Sequence, residues 1–304
     1  MPALTDRPLF AGKQRLDVSP ERFGWLRESQ AERDRPDVLR RRMEEEGYLF
    51  IRNFFPREEV QRVRHEVLVE FAREGWLDPS QPIESGIHRE DISSYFRPDM
   101  ATKTRRMTEL LYSPEIMRFY SDLFGEPAMH YDYTWFRAVT HGNGTMPHCD
   151  VVYMGRGSRR VCTAWVPFGD VPLEVGGLVI VEGSHRWREL DGYRSLDVDT
   201  ACENLPGKSQ PEAHGHAGFG VFEPEITAVG ARFSARLLTC PEYRMGDLLT
   251  FRIDLLHGSL DNQTNQLRIS SDTRYQPASE PADERWIGET PPGHGGAMVK
   301  PMIC

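Results

Sequence analysis

Two histidines and one aspartate are the residues whose types and spacing could do chemistry. His148 and Asp150 lie two apart in the β-prone segment MPHCDVVYM. In a strand, residues two apart project from the same face, so this pair would offer an imidazole and a carboxylate while Cys149 points the other way. His257 follows a distant apolar segment, DLLTFRIDLL, at a predicted turn. We expect these side chains to meet at one metal ion.

The ligand set indicates which metal chemistry is available. Two imidazoles and one carboxylate on one side of a metal leave three positions open, which suits Fe(II) enzymes that bind a chelating co-substrate and O2. Zinc is the main competing metal. An HxD pair alone is a common pattern and most such pairs are ordinary polar residues. The interpretation therefore depends on the residues that come after His257 in the chain.

An arginine eleven residues after His257 supports the interpretation as a metal site with a bound co-substrate. Arg268 begins the segment RISSDTRYQP and shares a predicted strand face with Ser270. A guanidinium that faces inward needs an anion and forms paired hydrogen bonds with a carboxylate. 2-Oxoglutarate would offer its distal carboxylate there, while its keto-acid end chelates the iron. The alternative is a structural salt bridge to Asp272 or Glu182.

Five segments around these residues resemble the phytanoyl-CoA dioxygenase family of Fe(II)- and 2-oxoglutarate-dependent oxygenases. They are HCD at 148–150, TAWVPFGD at 163–170, EVGGLVIVEGSHR at 174–186, HGSLDNQT at 257–264 and RISSDTRYQP at 268–277. The resemblance extends from about Gly47 to Pro277. It implies a mainly β fold with flanking helices, a double-stranded β-helix of the jelly-roll or cupin type. It also implies iron at the positions of His148, Asp150 and His257.

The resemblance further implies a co-substrate site and a reaction. The positions that match Arg268, Ser259 and Trp165 contact 2-oxoglutarate in the family, and Ser270 is a further candidate. The family couples decarboxylation of 2-oxoglutarate by O2 to hydroxylation of a small organic molecule, with succinate and CO2 as co-products. Halogenating relatives lack the carboxylate ligand, so Asp150 favours hydroxylation or a related oxidation.

Two other kinds of protein remain as alternatives. One is a zinc or nickel barrel that performs hydrolysis or isomerisation. The other is a barrel that binds a ligand without catalysis. Neither requires a carboxylate anchor such as Arg268 eleven residues after the third metal ligand.

The elements that must position these residues follow from hydrophobic periodicity. A helix is predicted over DVLRRRMEEE, ended by Gly47, and a strand over YLFI. Further helices are predicted after Pro56, where apolar residues recur at helical spacing, and from Ser113 to Phe124. Strand-like segments follow at 147–154, 160–168, 177–182, 247–253 and 266–276. This order predicts an antiparallel barrel or sandwich.

The chain is expected to form one catalytic domain with three appendages. Residues 1–30 mix Pro, Arg and Glu without a period and predict an N-terminal arm. Residues 31–280 form the oxygenase domain, and residues 281–304 a Pro- and Gly-rich tail. The stretch from about 185 to 245 is too long and polar for a hairpin loop, and we interpret it as an insert that acts as a lid.

Several other residues could bind ligands but fit structural roles better. His185 in the GSHR turn is interpreted as satisfied by backbone groups, and His214 and His216 as part of a solvated loop in the insert. Two groups of arginines would favour an acidic substrate if they converged on the barrel mouth. They are Arg156, Arg159 and Arg160, and Arg232, Arg236 and Arg244.

Composition excludes some classes of protein. A net charge of −9 over 304 residues opposes binding to nucleic acid or an anionic membrane surface. The five cysteines show no CxxC spacing, which favours reduced thiols over a disulfide framework or zinc ribbon. The sequence shows neither a signal peptide nor an apolar run of transmembrane length. We therefore predict a cytoplasmic enzyme.

Overall fold

A computed structural model describes residues 7–199, 221–223 and 226–294, which form a β-rich core flanked by helices. The α-helices are α1 (Pro36–Glu46), α2 (Arg57–Arg73), α3 (Asp99–Lys103), α4 (Arg105–Leu111), α5 (Pro114–Phe124), α6 (Val151–Met154), α7 (Asp191–Arg194) and α8 (Ile226–Phe233). Short 3-10 helices lie at Gln30–Glu32, Ile83–Ser85, Leu173–Val175, Ser184–Arg186, Arg188–Leu190 and Glu284–Trp286.

The strands follow the order that the sequence predicts, with short additions. They are β1 (Phe10–Ala11), β2 (Gln14–Arg15), β3 (Phe23–Trp25), β4 (Tyr48–Ile51), β5 (Ala128–His130), β6 (Trp135–Val139), β7 (Cys162–Pro167), β8 (Val171–Pro172), β9 (Leu178–Val181), β10 (Leu237–Thr239), β11 (Glu242–Tyr243), β12 (Leu248–Arg252), β13 (His257–Ser259) and β14 (Arg268–Pro277). The helices predicted before Gly47, after Pro56 and up to Phe124 correspond to α1, α2 and α5.

Two sheets build the barrel. The major sheet has the order β4-β12-β7-β14-β5, and β6 pairs with the first half of β14. The minor sheet has the order β13-β9-β10-β3. An isolated antiparallel bridge between His148 and His257 extends the minor sheet beyond β13. This bridge places His148, the first metal-ligand candidate, beside His257, the third.

The start and end of α1 follow directly from the local sequence. Pro36 occupies the first turn of α1, where its missing N–H costs no helical hydrogen bond. Gly47 ends the helix with φ of 81°, a left-handed conformation that favours glycine. A Cβ atom at this position would also lie 2.5 Å from Nδ1 of His185. Gly47 therefore both ends α1 and allows the GSHR turn to pack against it.

Helices cover the outward face of the major sheet. Four apolar side chains of α2 recur at helical spacing and are fully buried: Val60, Val63, Val67 and Phe71. They pack in one cluster with outward-facing strand residues, among them Leu49, Ala164 and Ile269. Burial of each such side chain stabilises the fold by about 1.5–3 kcal/mol. This packing fixes the outward face and thereby assigns the alternate residues to the interior.

Strand β14 shows the consequence of that alternation. Ile269 and Tyr275 belong to the cluster against the helices. The even-numbered residues alternate with them and point into the barrel, although they are polar: Arg268, Ser270, Asp272 and Arg274. A buried row of charged side chains is costly unless each charge has a partner. The interior of the barrel therefore carries the candidate functional groups.

The arm and the insert contribute strands to the minor sheet. Residues Phe23–Trp25 of the predicted arm pair in parallel with β10, and β10 also pairs with β9. The C-terminal end of the predicted 185–245 insert is thus part of the barrel, which differs from our expectation. A three-residue strand is too short to show a period of two in sequence. Residues 200–220 and 224–225 lie outside the described residues.

The described part of the tail packs against the barrel. Trp286 is buried, and its ring centroid lies 4.7 Å from that of Trp135. Arg285 forms ion pairs with Asp283 and Asp199. Residues 295–304 lie outside the described residues. Among the described helices, we find none with the length and apolar composition that crossing a membrane requires.

Candidate metal and co-substrate site

The segment around His148 is not the continuous strand that we predicted for residues 147–154. His148 pairs with His257 through the isolated bridge, and Asp150 begins the helical turn α6 with φ of −59° and ψ of −27°. The expectation that the two side chains share a strand face was therefore wrong. They converge for another reason, because the turn directly after the bridge brings Asp150 back toward both histidines. All three residues are buried.

The three side chains form a compact set of ligand atoms. One donor atom from each lies within 4.8 Å of the others. Oδ1 of Asp150 lies 3.5 Å from Nε2 of His148 and 3.9 Å from Nε2 of His257. The Nδ1 atoms lie 2.8 Å from the carbonyl oxygen of Met146 and 3.0 Å from that of Leu255. Because a carbonyl only accepts, each Nδ1 carries a proton and each ring directs Nε2 to the centre.

The charges of the centre favour the forms that bind a metal. Burial, and then the proximity of His148, lower the pKa of His257 to about 4, so this ring is neutral at physiological pH. Burial alone would raise the pKa of Asp150, but Arg274, His257 and His148 together hold it well below its usual value. Asp150 therefore offers an ionised carboxylate and His257 a neutral imidazole, with no proton to displace from either.

Two residues that our sequence analysis missed bind the other oxygen of Asp150. Oδ2 accepts a hydrogen bond from Oγ1 of Thr163 and lies 3.1 Å from Nη2 of Arg274. The signal for Arg274 was present in the sequence, since it lies six residues after Arg268 and therefore on the same strand face. The identity of its partner was not, because Asp150 lies far away in the chain.

Arg268 lies where the sequence predicts, inside the barrel and almost fully buried. Its Nη1 donates to the carbonyl oxygen of Gly176, and its Nε has no hydrogen-bond partner within the described part of the chain. Burial, and then the neighbouring Arg137, lower its pKa. A buried cation of this kind is costly until an anion joins it.

The two salt bridges that we considered as alternatives for Arg268 are made with other arginines. Asp272 accepts from Nε of Arg137 at 2.7 Å, and Glu182 pairs with Arg236 at 2.7 Å. Among the described residues, no ion pair joins either acid to Arg268. Its guanidinium is therefore available for a ligand.

Two of the other three predicted co-substrate residues, Trp165 and Ser259, line the same pocket as Arg268. A narrow pocket is lined by both histidines together with Arg268, Trp165, Ser259, Arg137, Thr145, Leu178, Gly258 and Asp272. The hydroxyl of Ser259 accepts a hydrogen bond from the backbone N–H of Thr145 at 2.7 Å. Ser270 does not line the pocket, but it lies on the inward face beside Arg268, and its buried hydroxyl lacks a hydrogen-bond partner among the described residues.

These features fit a metal with a bound keto acid. The donor set of two imidazoles and one carboxylate is that of Fe(II) oxygenases. A buried guanidinium with an unpartnered Nε lies in the same pocket, where the distal carboxylate of 2-oxoglutarate would satisfy it. 2-Oxoglutarate therefore has a group for each of the two features. Its keto-acid end would bind the metal, and its distal carboxylate would bind the guanidinium of Arg268.

The remaining candidate residues lie elsewhere. His185 packs against Gly47, with Nε2 3.1 Å from the carbonyl oxygen of Glu44, as expected for a structural histidine. His214 and His216 lie outside the described residues. The thiol of Cys149 is buried in the core, and burial raises its pKa to about 12, which is unsuitable for a nucleophile.

The two groups of arginines do not converge on the pocket. Four of them pair with acidic side chains: Arg156 with Asp197, Arg160 with Glu126 and Glu280, Arg236 with Glu182, and Arg244 with Glu242. Arg159 donates to a backbone carbonyl, and the guanidinium of Arg232 lies over the ring of Phe233. These contacts are typical of a solvated surface.

Comparison with known proteins finds relatives in sequence and in structure. The 1-deoxypentalenic acid 11-beta-hydroxylase of Streptomyces arenae is 28% identical over 258 residues, which cover 81% of this chain and 83% of that protein. The non-heme alpha ketoglutarate dependent carbocyclase SnoK from nogalamycin biosynthesis has a TM-score of 0.57 at 20% identity, over 81% of this chain and 85% of that one. The epimerase SnoN, solved with Fe3+, alpha ketoglutarate and nogalamycin RO, has a TM-score of 0.54 at 20% identity, over 88% and 96%. The structural likeness confirms the double-stranded β-helix.

The family profile covers most of the chain. The profile of the phytanoyl-CoA dioxygenase (PhyH) family matches residues 43–270, which include the HCD motif, His257 and Arg268. The predicted enzyme class, a dioxygenase that depends on Fe(II), 2-oxoglutarate and O2, is thereby confirmed. The chain belongs to the phytanoyl-CoA dioxygenase family.

Proposed function

We propose that this protein hydroxylates, or otherwise oxidises, a small organic molecule at a metal held by His148, Asp150 and His257. In the hydroxylation, one oxygen atom of O2 enters the substrate and the other enters succinate, while 2-oxoglutarate loses CO2. When bound, Fe(II) would transfer to O2 two electrons from 2-oxoglutarate and two from the substrate, and it would orient the co-substrate.

The side chains of the pocket have separate tasks. His148 and His257 present Nε2, because hydrogen bonds from Nδ1 fix their ring orientation. Arg268 anchors the distal carboxylate of 2-oxoglutarate from within β14. Trp165 and Ser259 form the walls that orient the co-substrate and exclude water. Ser270 lies beside the anchor and is a further hydrogen-bond donor for the same carboxylate.

One observation carries the proposal. Arg268 is a buried cation in the same pocket as two metal-ligand candidates, and the acids that could have neutralised it pair with other arginines. A zinc or nickel hydrolase or isomerase has no need for a carboxylate anchor at this place, and neither has a non-catalytic barrel. A keto acid that chelates the metal and reaches Arg268 accounts both for the metal-ligand candidates and for the buried cation in the same pocket.

The proposal is tested by anaerobic titration of 2-oxoglutarate into Fe(II)-loaded protein. We expect the weak visible charge-transfer band of a chelated keto acid to appear with saturable binding. Succinate, which lacks the keto group, serves as the control and should give no band. A metal-loaded sample with neither a band nor measurable 2-oxoglutarate affinity would contradict the proposal.

For the substrate, we propose a small organic acid. The support is the hydroxylase relative, whose name specifies an acid as its substrate. The two surface groups of arginines do not contribute, since they are paired or solvated. The test compares stimulation of 2-oxoglutarate turnover by cyclic carboxylic acids with that by their methyl esters. Equal stimulation by acid and ester would contradict the proposal that the substrate is an acid.

The domain organisation and cellular location also remain proposals. We propose one oxygenase domain over residues 31–280, which contains the segment matched by the family profile. Within it, residues from 185 to the start of β10 are the proposed lid. The cytoplasmic location rests on the sequence alone.

A further inference from the structure

The two oxygens of Asp150 have different surroundings. Oδ1 faces the histidines, at 3.5 Å from Nε2 of His148 and 3.9 Å from Nε2 of His257. Oδ2 faces away, where it accepts from the hydroxyl of Thr163 and lies 3.1 Å from Nη2 of Arg274. Only one oxygen of the carboxylate is therefore directed toward the metal position.

The two groups that bind Oδ2 are themselves fixed. Thr163 on β7 and Arg274 on β14 are cross-strand partners in the major sheet, so the ladder sets their separation. The guanidinium of Arg274 lies 4.4 Å from the ring centroid of Trp135, and its Nε lies 3.2 Å from Sδ of Met154. Met154 ends the helical turn that Asp150 begins. Arg274, which belongs to the major sheet, thus contacts both the carboxylate of Asp150 and the last residue of the helical turn that Asp150 begins.

This arrangement matters because a carboxylate can bind a metal through one oxygen or through both. With both oxygens bound, two histidines and an aspartate would occupy four positions of an octahedral ion and leave two. A chelating keto acid alone takes two positions, and O2 needs a third. The number of Asp150 oxygens on the metal therefore decides whether O2 has a place.

We propose that Arg274 and Thr163 are positioning residues that restrict Asp150 to one metal-binding oxygen and so keep a third coordination position open. The inference rests on the proposed metal site at His148, Asp150 and His257. Arg274 contributes a positive charge, because its Nη2 lies 3.1 Å from Oδ2. Thr163 contributes a neutral hydrogen bond to the same oxygen.

The test counts the water molecules on a bound metal. Mn(II) is the probe, and the relaxation enhancement of water protons per bound ion reports how many waters it carries. Wild type should hold three. In Arg274→Met, Asp150 should turn to bind through both oxygens, and the enhancement should fall by about one third. Thr163→Val should shift it in the same direction by less, and Arg274→Lys should recover part of the wild-type value.

A second measurement is the affinity of the oxygen-free variants for Fe(II). We expect a loss of about 10-fold or more in Arg274→Met, since loss of an outer partner of a metal ligand typically costs ~10–100-fold in metal affinity. Arg64→Met is the matched control, because Arg64 is also buried but donates to the carbonyl oxygen of Phe168 away from the centre. It should leave both the water count and the affinity unchanged.

The possible failures can be told apart. If wild type and His148→Ala bind Mn(II) equally, the proposed metal site is wrong. If wild type binds Mn(II) but the water count is unchanged in both Arg274→Met and Thr163→Val, the metal site stands and the positioning role is overturned. A variant that binds less Mn(II) with an unchanged water count per ion would likewise overturn it, because it would show a structural role only.

Discussion

Asp272 lies four residues after Arg268 on the same inward face of β14, yet its carboxylate pairs with Arg137 on the neighbouring strand. Strand geometry explains this choice. Ser270 is the cross-strand partner of Arg137, so Arg137 lies midway between Arg268 and Asp272 along β14. The pairing neutralises Asp272 and leaves the guanidinium of Arg268 to a ligand.

The first prediction concerns Arg268→Ala. Truncating one member of a buried charge pair costs about 2–5 kcal/mol, so the affinity for 2-oxoglutarate should fall by roughly 30-fold or more. Fe(II) affinity should barely change, because among the described residues no hydrogen bond or ion pair joins Arg268 to a metal-ligand candidate. Arg268→Lys keeps the charge but loses the fork and should lie between the two. The measurement is anaerobic titration of 2-oxoglutarate into Fe(II)-loaded protein.

Arg236→Ala provides the control for that experiment. Arg236 is a partly exposed arginine that pairs with Glu182 outside the pocket, so its loss should leave 2-oxoglutarate affinity at the wild-type value. Unchanged affinity in Arg268→Ala would show that this arginine has another task.

The second prediction concerns Asp150→Ala, which removes the proposed anionic ligand and should abolish hydroxylation. Fe(II) affinity should fall by more than about 100-fold, since even loss of an outer partner costs ~10–100-fold. Asp170→Ala is the control, because Asp170 is partly exposed and pairs with Arg57 at the surface. Full activity in Asp150→Ala would remove this residue from the site. Anaerobic Fe(II) titration and product analysis give the two readouts.

The third prediction concerns the pH dependence of stability in metal-free protein. The folded state lowers the pKa of His257 from 6.5 to about 4, so between these values the unfolded state binds more protons. This contribution to stability is complete above pH 6.5 and is lost as the pH falls toward 4. At pH 5 the loss should be about 2 kcal/mol.

Urea unfolding with a chelator present measures this effect between pH 7.5 and 5. His257→Gln should remove that part of the pH dependence, since glutamine does not titrate. The lowered pKa of Asp150 acts only below its usual value of 3.8, so it does not contribute in this window. An identical slope in wild type and His257→Gln would contradict the assignment.

The fourth prediction tests the proposed lid. Residues 201–219 are replaced by a Gly/Ser linker of the same length, which keeps the chain connected and removes the side chains. Substrate hydroxylation should fall more than uncoupled decarboxylation of 2-oxoglutarate, because a lid excludes water from the substrate and not from the metal ligands. Equal loss of both activities, or loss of folding, would make this segment structural.

The sequence by itself determined the metal-ligand candidates and the candidate for the co-substrate anchor. Metal chemistry admits few donor sets, so two histidines and an aspartate near an inward-facing arginine restrict the reaction class strongly. The period of two along β14 assigned Arg268 and Ser270 to the interior without knowledge of any other strand. Motif spacing then indicated the family, which the profile match confirmed.

Only the tertiary structure decided which strands pair and which charged side chains form ion pairs in the site. Our strand prediction around His148 was wrong because the bridge and the turn at Asp150 depend on His257, which lies 109 residues after His148. Strand β10 likewise could not be predicted, since three residues are too few to show a period. The pairing of Asp272 with Arg137, and of Arg274 with Asp150, could not be read from the chain. Ion pairs form between charges that lie within a few ångströms, and those distances are set by the order and register of strands that are distant in sequence.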